Sequence, residues 1–440
     1  GLQRLDSNAE FRPNSVLTHQ SRESLYNVWS NLRHQNAWTK AVSSELNIGY
    51  SAGQPTRDDR FFLQGVLDRT YTRNYGYRAF SAAAAVDVTP IPQFSARLGL
   101  EAELELHDIL FYTVTYSAAQ GMREAGESVD EVPESVDTTQ TVSNRAAYLT
   151  LSGQPLPMFE ALRLTGSVRL DSTAYGDTDL DSMFSARAAA VVEVFPWLVT
   201  KLSYGRGYGV PSAVQMFAQT GFGISNILTG NLAAPSGAPA MTPQRVDSFE
   251  AGVHLAVWDA AVLQLTAFHQ KVTGRIEFAW NGTSNFIGRN TEDQTLLGGE
   301  AVFLATLGPV NPFVSAALVK TEEEPLVAYP GFVGALGVDV ALFSRPSLYF
   351  NGRVQHVGAR AATRPHVVLN GGDGYELPAY QTVDLSLSLD ELPLFGRELN
   401  TQVVASARNV FDQRHSEPGF VGFDVPALGR TAFIEVRQSF

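Results

Sequence analysis

Apolar and polar residues alternate with a period of two along most of this chain of 440 residues. In the clearest run, at 95–106, alanine and leucine occupy every second position and mostly charged or small polar residues lie between them. The stretch 431–440 repeats the pattern and stops on an aromatic residue, and similar runs occur at 162–171, 186–194 and 383–389. Successive side chains of a β-strand point to opposite faces, so each run predicts a strand with one apolar and one polar side.

The length of these runs favours strands that cross a membrane. Most runs are about ten residues long, which spans a bilayer at a tilt, whereas strands of soluble sheets are usually shorter. No apolar run is long enough for a spanning helix, and lipid offers no partner to unpaired backbone groups, so a membrane protein of this kind must be a closed barrel. The sequence predicts an all-β fold, a transmembrane antiparallel β-barrel with about 17–19 strands in this chain. One or two soluble all-β domains are the alternative.

The connections between the predicted strands are of two kinds, short turns such as 195–197 and long loops such as 209–243. Outer-membrane barrels carry short turns on the periplasmic rim and long loops on the exterior rim. Three tryptophans fall at or beside short turns, as a periplasmic aromatic girdle requires: Trp38, Trp197 and Trp258. Phe440 is expected to end the last strand at that rim and to act as the terminal signal for barrel assembly.

Composition excludes several functions. The chain has no cysteine, which removes disulfides and thiolate metal sites. A formal net charge of −13 makes nucleic acid an unsuitable partner. The eight histidines show no paired ligand spacing, and no G-x-S-x-G motif occurs. We therefore expect neither an enzyme nor a bound cofactor.

Four segments resemble the C-terminal portion of TonB-dependent outer-membrane receptors. They occur in the family's order, at 204–212 (YGRGYGVPS), 243–252 (PQRVDSFEAG), 380–385 (YQTVDL) and 409–415 (NVFDQRH), the last followed by 429–431 (GRT) and Phe440. The resemblance implies a 22-stranded barrel that crosses the outer membrane of a Gram-negative bacterium many times and is filled by an N-terminal plug domain. It also implies energised uptake of a scarce nutrient (a ferric siderophore, cobalamin or a glycan), with the plug, the TonB complex, lipid and lipopolysaccharide as partners.

The chain departs from that family pattern in its first part. Residues 1–21 are predicted to be a polar N-terminal loop segment and residues 22–440 the barrel, with no recognisable plug. The first strands and the plug are expected to be missing or supplied elsewhere, for example by a separate chain, unless the barrel closes alone. Two other functions stay open: a passive porin-like channel without a plug, in which loop 209–243 folds inward on Met216, Phe217 and Phe222, and a structural barrel that scaffolds a surface lipoprotein.

Charged residues on the polar faces of the strands are predicted to line the lumen. This predicted inner wall comprises Arg97, Glu101, Glu103, Arg163, Arg169, Asp384, Arg408, Glu435 and Arg437. Buried unpaired charge is costly, so water or a polar plug must lie against such a wall.

Long loops supply the predicted ligand-binding residues, which are Trp280, Arg289, Arg360, Arg364 and His366. Arginine pairs with carboxylates and aromatic rings stack, which suits an anionic or aromatic chelate. The alternative is that these side chains meet lipopolysaccharide, acidic loops or the outer membrane interface. A weaker candidate is a calcium site formed by Asp177, Asp179 and Asp181, whose spacing can gather oxygen ligands. A solvated hairpin tip explains the same residues.

Overall fold

The computed structural model describes residues 1–8, 20–62, 66, 68–117, 124–131, 138–154, 161–218, 228–233, 239–282, 286–322, 327–344, 347–363, 367, 371–392, 400–418 and 424–439. This part of the chain is almost entirely β-structure. None of its helices is long and apolar enough to cross a membrane.

The strands are β1 (Leu2–Asn8), β2 (Arg22–Ala37), β3 (Val42–Pro55), β4 (Arg69–Ile91), β5 (Phe94–Tyr116), β6 (Ser128–Glu131), β7 (Thr139–Gly153), β8 (Leu162–Tyr175), β9 (Thr178–Asp179), β10 (Met183–Phe195), β11 (Leu198–Gly209), β12 (Leu228–Thr229), β13 (Gln244–Trp258), β14 (Ala261–Thr273), β15 (Ile276–Trp280), β16 (Phe286–Asn290), β17 (Gln294–Ala305), β18 (Val310–Thr321), β19 (Phe332–Ser344), β20 (Ser347–Val357), β21 (Arg360–Ala361), β22 (Glu376–Leu377), β23 (Tyr380–Leu392), β24 (Asn400–Arg408), β25 (Ser416–Glu417), β26 (Val425–Pro426) and β27 (Thr431–Ser439). A short helix, α1 (Ala213–Phe217), and a 3-10 turn, η1 (Asn231–Ala233), lie between β11 and β13.

Eighteen of these strands form one antiparallel wall, in which each pairs with the next along the chain. The wall strands are β1, β2, β3, β4, β5, β7, β8, β10, β11, β13, β14, β17, β18, β19, β20, β23, β24 and β27. The predicted all-β antiparallel fold is confirmed. Two short strands, β6 and β9, pair with β5 and β8 and bring this sheet to 20 strands among the described residues, slightly more than the predicted 17–19. No ladder joins β1 to β27 among the described residues.

Strand β1 corrects the prediction that residues 1–21 are a loop. Its backbone pairs with β2 from Leu2 opposite Val28 to Asn8 opposite Arg22. The stretch lacks clear apolar alternation, but a ladder is made by backbone groups and does not require it. Residues 9–19 lie outside the described ranges.

The two faces of the wall differ as the alternation predicts. Leu98, Leu100 and Leu202 on one face are more than half exposed. The other face is polar, and seven successive wall strands, from β3 to β11, line one cavity of about 770 Å³ there. Only the concave side of a curved sheet can bring seven successive strands around one space. The polar face is therefore the inner face, and the leucine-rich face is the outer one.

Turns and loops separate to opposite ends of the wall. Trp38, Trp197 and Trp258 are exposed beside the short turns, at what we call the short-turn end. The helix, the 3-10 turn and all nine short strands outside the wall lie in the connections at the other end, the long-loop end. Phe440 lies outside the described residues, so its place on the short-turn rim stays a prediction.

Candidate functional site: the inner wall and the loop cap

An ion-pair network covers the inner face of the early wall strands. The Arg97 guanidinium on β5 lies 3.0 Å from the Asp87 carboxylate on β4 and 3.5 Å from that of Glu45 on β3. Glu45 also pairs with Arg33 on β2 at 3.1 Å. Arg97 Nε donates to the Tyr148 hydroxyl at 3.3 Å, which extends the network to β7. Five neighbouring strands are thus linked across the lumen surface.

Arg169 on β8 continues this surface around the cavity. Its guanidinium bridges the carboxylates of Glu101 at 2.7 Å and Asp171 at 2.8 Å. Glu103 accepts a hydrogen bond from Asn144 Nδ2 at 3.4 Å. The predicted wall residues Arg97, Glu101, Glu103 and Arg169 therefore lie together on the inner face. Because the charged groups are paired yet partly exposed, the surface suits contact with water or with a polar protein surface.

The other predicted wall residues lie on the same face but outside this network. Arg163 on β8 is exposed, and Asp384 on β23 accepts from the Asn409 backbone N–H at 2.8 Å. The Arg408 guanidinium lies 5.5 Å from the centroid of the Phe433 ring. Glu435 and Arg437 on β27 pair with each other at 2.5 Å.

The connection between β11 and β13 folds inward. Met216 and Phe217 of α1 are buried in a cluster that also contains Ile109, Val142, Tyr175, Leu180 and Met241. Val142 is the register partner of Glu105 on one side and of Tyr175 on the other, so the cluster packs on the inner face. The predicted inward fold on Met216 and Phe217 is present, and Phe222 lies outside the described residues.

Two loops join to form what we call the loop cap, which consists of α1, β12 and η1 from one connection and β15 and β16 from the next. Strand β12 pairs in parallel with β16. The Asn231 side chain donates to the Gly288 carbonyl at 3.0 Å, and Asn290 Oδ1 accepts from the Thr242 backbone N–H at 2.8 Å. A Cβ atom at Gly288 would lie 2.3 Å from the Gln215 carbonyl oxygen, so the close approach of β16 to α1 requires glycine.

A second cavity, of about 390 Å³, lies between α1 and the inner wall. We call it the mouth cavity. Its lining includes Tyr75, Tyr77, His107 and Phe217. Tyr77 and His107 are register partners on β4 and β5, and their rings lie 6.3 Å apart. A cavity with several rings and few charges can hold an aromatic or amphipathic ligand.

A buried ion pair at the edge of the mouth cavity was not found from the sequence. The fully buried Asp59 carboxylate accepts from Arg73 at 2.6 and 2.9 Å and from the Ser24 backbone N–H at 3.0 Å. Arg73 also pairs with Glu23 at 2.9 Å, and its guanidinium lies 4.6 Å from the Phe61 ring centroid. This cluster ties the loop after β3 to two wall strands, β2 and β4.

The predicted ligand-binding residues divide into three groups. Trp280 packs on the buried Phe286 within the loop cap, with ring centroids 5.0 Å apart, and Arg289 of the same cap is exposed. Arg360 lies in a different connection. Arg364 and His366 lie outside the described residues, so their roles stay predictions.

Arg360 is buried rather than presented to a ligand. Its side chain is 2% exposed and pairs with Glu417, while Nη2 donates to the Ser416 carbonyl at 2.9 Å. The guanidinium also lies 5.1 Å from the Tyr380 ring centroid. Arg360 therefore joins the connection after β20 to the one after β24, and its expected exposure at the mouth was wrong. The carboxylate that buries it is 57 residues away in the chain.

The calcium candidate is not supported. Asp177, Asp179 and Asp181 are all exposed around the hairpin that follows β8. No group of three or more histidine, aspartate or glutamate side chains within the described ranges could hold a metal ion. The three carboxylates face solvent instead of converging, as on an ordinary hairpin tip.

Tyr375 provides a pH-dependent contact between the same two loops that Arg360 joins. Its hydroxyl donates to Asp424 Oδ2 at 2.8 Å. Burial, followed by this hydrogen bond, raises the pKa of Tyr375 to about 12. A folded-state pKa above the unfolded value of about 10 means that the stabilising contribution is complete below pH ~10 and is lost as the pH rises through about 12.

We therefore expect the difference in phenolate absorbance between the wild type and Tyr375→Phe to titrate with a midpoint near 12. In Tyr375→Phe the hydrogen bond to Asp424 is absent at every pH, so the stability of this loop contact should no longer depend on pH between ~10 and ~12. A difference titration with a midpoint near 10 would show that the hydroxyl is not held by Asp424 in solution.

A family model described as TonB dependent receptor-like, beta-barrel, matches residues 2–410. No curated protein matches the chain by sequence. The copper transporter OprC superposes with a TM-score of 0.73 at 16% identity, over 94% of this chain and 65% of that one.

Two further solved structures have the same fold. The FrpB iron transporter from Neisseria meningitidis gives a TM-score of 0.67 at 14% identity, over 94% of this chain and 64% of that one. The ferric yersiniabactin uptake receptor FyuA from Yersinia pestis gives 0.66 at 14% identity, over 95% and 62%. The chain spans less than two thirds of the length of each of these three structures.

A wall of long antiparallel strands with an apolar outer face, a charged inner face, short turns at one end and long loops at the other defines an outer-membrane β-barrel. The family match covers most of the chain, so this chain belongs to the TonB-dependent receptors, in their β-barrel part. The resemblance seen in four sequence segments is confirmed. The barrel lies in the outer membrane of a Gram-negative bacterium, which it crosses many times. The short-turn end thus faces the periplasm and the long-loop end the exterior.

Proposed function

We propose that this chain forms the barrel of a TonB-dependent receptor that imports a scarce nutrient. The proposal depends on one observation: a chain of this family has a charged, partly exposed inner wall beneath a loop cap. The solved structures that share the fold are named as transporters and receptors. A binding and transport role fits these features better than a catalytic one.

The inner-wall network suits a plug domain as its partner. The side chains of Arg97, Arg169 and Glu101 are 36–40% exposed although each is ion-paired. Their remaining donors and acceptors face the lumen, where they can hydrogen-bond to a polar protein surface. The plug, on the same or a separate polypeptide, would transmit the pull of the TonB complex.

The ligand class we propose is a metal ion or a metal chelate, such as a ferric siderophore. The structures with the same fold are named for copper, iron and ferric yersiniabactin. In this chain, the aromatic mouth cavity lies beneath a cap that exposes Arg289. Rings and a cation suit an aromatic, anionic chelate. Cobalamin and glycans are the competing ligands.

Uptake by intact cells tests the proposal. A strain that lacks this receptor should lose accumulation of radiolabelled ferric siderophore, and expression of the complete receptor should restore it. The restored uptake should stop when TonB is deleted or the proton-motive force is collapsed. Restoration of cobalamin or glycan uptake alone would change the ligand class and keep the mechanism. Uptake that persists without TonB would contradict the mechanism itself.

A passive channel is the second candidate, and the inward fold of α1 favours it. Met216 and Phe217 anchor the helix on the inner face, where it narrows the mouth. Reconstitution in a planar bilayer distinguishes the two functions. A plugged receptor should give almost no steady conductance, whereas an unplugged barrel should conduct continuously.

A further inference from the structure

One set of cations lies on the outer, lipid-facing side of the wall. Arg206 and Leu202 both lie on β11, four residues apart. Every second side chain of a strand points to the same face. Leu202 is an exposed leucine of the outer face, so Arg206 also points outward. Register carries this face across the sheet, since Arg206 is opposite Asp247 on β13 and Asp247 is opposite Lys271 on β14. Arg245, two residues before Asp247, shares the same face.

A fourth cation extends the set to β18. Lys320 is opposite Leu297 on β17, and Leu297 is opposite His269 on β14. His269 is two residues from Lys271, so Lys320 also points outward. Arg206, Arg245, Lys271 and Lys320 form what we call the outer cationic band. The band spans five neighbouring strands, which corresponds to roughly 20 Å along the sheet.

The band lies at the boundary between the apolar belt and the long loops. Phe249 and Leu297, more than half exposed, lie on the outer face just toward the short-turn end. In the other direction β11 ends at Gly209 and β14 ends at Thr273, where long connections begin. This height corresponds to the headgroups of the outer leaflet, because the long-loop end faces the exterior.

The band has more positive than negative charge in contact with it. Asp247 accepts from Arg206 Nε at 2.8 Å, lies 2.9 Å from Arg245 Nε and also accepts from the Tyr204 hydroxyl at 2.7 Å. One carboxylate is thus shared by two guanidinium groups. No second carboxylate pairs with either arginine among the described residues.

Lys271 is only loosely neutralised. Its ammonium group lies 3.6 Å from the Asp293 carboxylate, and both side chains are about half exposed. Lys320 has no ion-pair partner within the described part of the chain. The whole chain carries a net charge of −13 and contains four lysines, of which two lie in this band.

We propose that the outer cationic band is a docking site for the phosphate groups of the lipopolysaccharide in the outer leaflet. Guanidinium groups bind phosphate through paired N–H donors, and an ammonium group adds a point charge. Cations at headgroup height on a lipid-facing wall meet an anionic lipid surface, whereas the same cations in the lumen would not. The site is independent of the imported nutrient and does not rest on the uptake proposal.

Retention of lipopolysaccharide through purification tests the site. The complete receptor is extracted from its native membrane in mild detergent, and bound glycolipid is measured by native mass spectrometry. Each cation removed should weaken retention roughly fivefold, so the triple variant Arg206→Gln, Lys271→Gln, Lys320→Gln should lose on the order of 100-fold. Heat-modifiable migration on a gel confirms that the variant is folded. If the triple variant fails to fold, Lys271→Gln alone carries the test.

Lys201→Gln is the matched control. Lys201 lies on β11, the strand that carries Arg206, but on the inner face with Glu250 at 3.9 Å. Its side-chain exposure of 54% is close to the 51% of Lys271. The control should retain lipopolysaccharide as the wild type does. Equal retention by all variants, equal loss in the control, or release from the wild type by EDTA alone would each overturn the proposal, the last by pointing to divalent bridges.

Discussion

Replacing Gly230 with valine is expected to lift helix α1 off the inner wall and open the loop cap. A Cβ atom at this position would lie 2.4 Å from the Met216 carbonyl oxygen and 2.4 Å from the Phe217 backbone nitrogen. Both obstacles are backbone atoms of the helix, so no side-chain rotation relieves them. Overpacking of this kind costs up to about 3 kcal/mol, which raises the population of the open cap by roughly 100-fold.

Oxidation of Met216 measures this opening. The Met216 side chain is 1% exposed in the closed cap, so its thioether should react with dilute peroxide much faster in Gly230→Val than in the wild type. Gly374→Val is the control, since a Cβ atom at Gly374 meets nothing within 4 Å in another long loop. Equal protection of Met216 in both variants would show that α1 does not depend on the close approach at Gly230.

The sequence predicts the wall well because the alternation of apolar and polar residues within each strand shows which side chains lie on each face. Alternation placed Arg97, Glu101 and Arg169 on the inner face without knowledge of any partner strand. It could not say that Arg169 bridges Glu101, because that contact depends on the register of β5, β7 and β8. Strand β1 escaped prediction for the opposite reason, since backbone pairing needs no side-chain pattern.

Loop residues were less predictable because their surroundings come from distant parts of the chain. Arg360 lies in a polar sequence segment in which an arginine is expected to be exposed, but its side chain is buried against Glu417. The cap had a local signal that composition alone does not give, a capping box between Ser212 and Gln215 just before the buried Met216 and Phe217.

The family motifs indicated which family the chain belongs to, but they did not reveal the outer cationic band. Arg206 and Asp247 were read as parts of two motifs, with no face assigned. Counting in twos from the apolar Leu202 would have placed Arg206 on the lipid side. A charged residue on an apolar face is thus a signal that sequence analysis can use.

Asp59→Ala should produce the largest loss of stability among single substitutions at the mouth. The Asp59 side chain is 0% exposed and takes two hydrogen bonds from Arg73, whose side chain is 15% exposed. Removing the carboxylate leaves a largely buried guanidinium with Glu23 as its remaining ion-pair partner within the described residues. Breaking a buried pair from one side costs about 3–5 kcal/mol. The free energy of unfolding in urea, measured in lipid vesicles, checks this value.

The adjacent Asp58 supplies the control that separates burial from charge. Asp58 pairs with Arg4 at 2.7 Å, nearly the distance of the Asp59 pair, but both side chains are about half exposed. Because water and salt screen such a pair, Asp58→Ala should change stability far less than Asp59→Ala. Adding Arg73→Met and Glu23→Gln to Asp59→Ala should recover much of the loss, since all three charges of the cluster are then removed together. Equal losses at the two aspartates, or no recovery in the triple variant, would mean that the Asp59 cluster is hydrated and does not hold the loop.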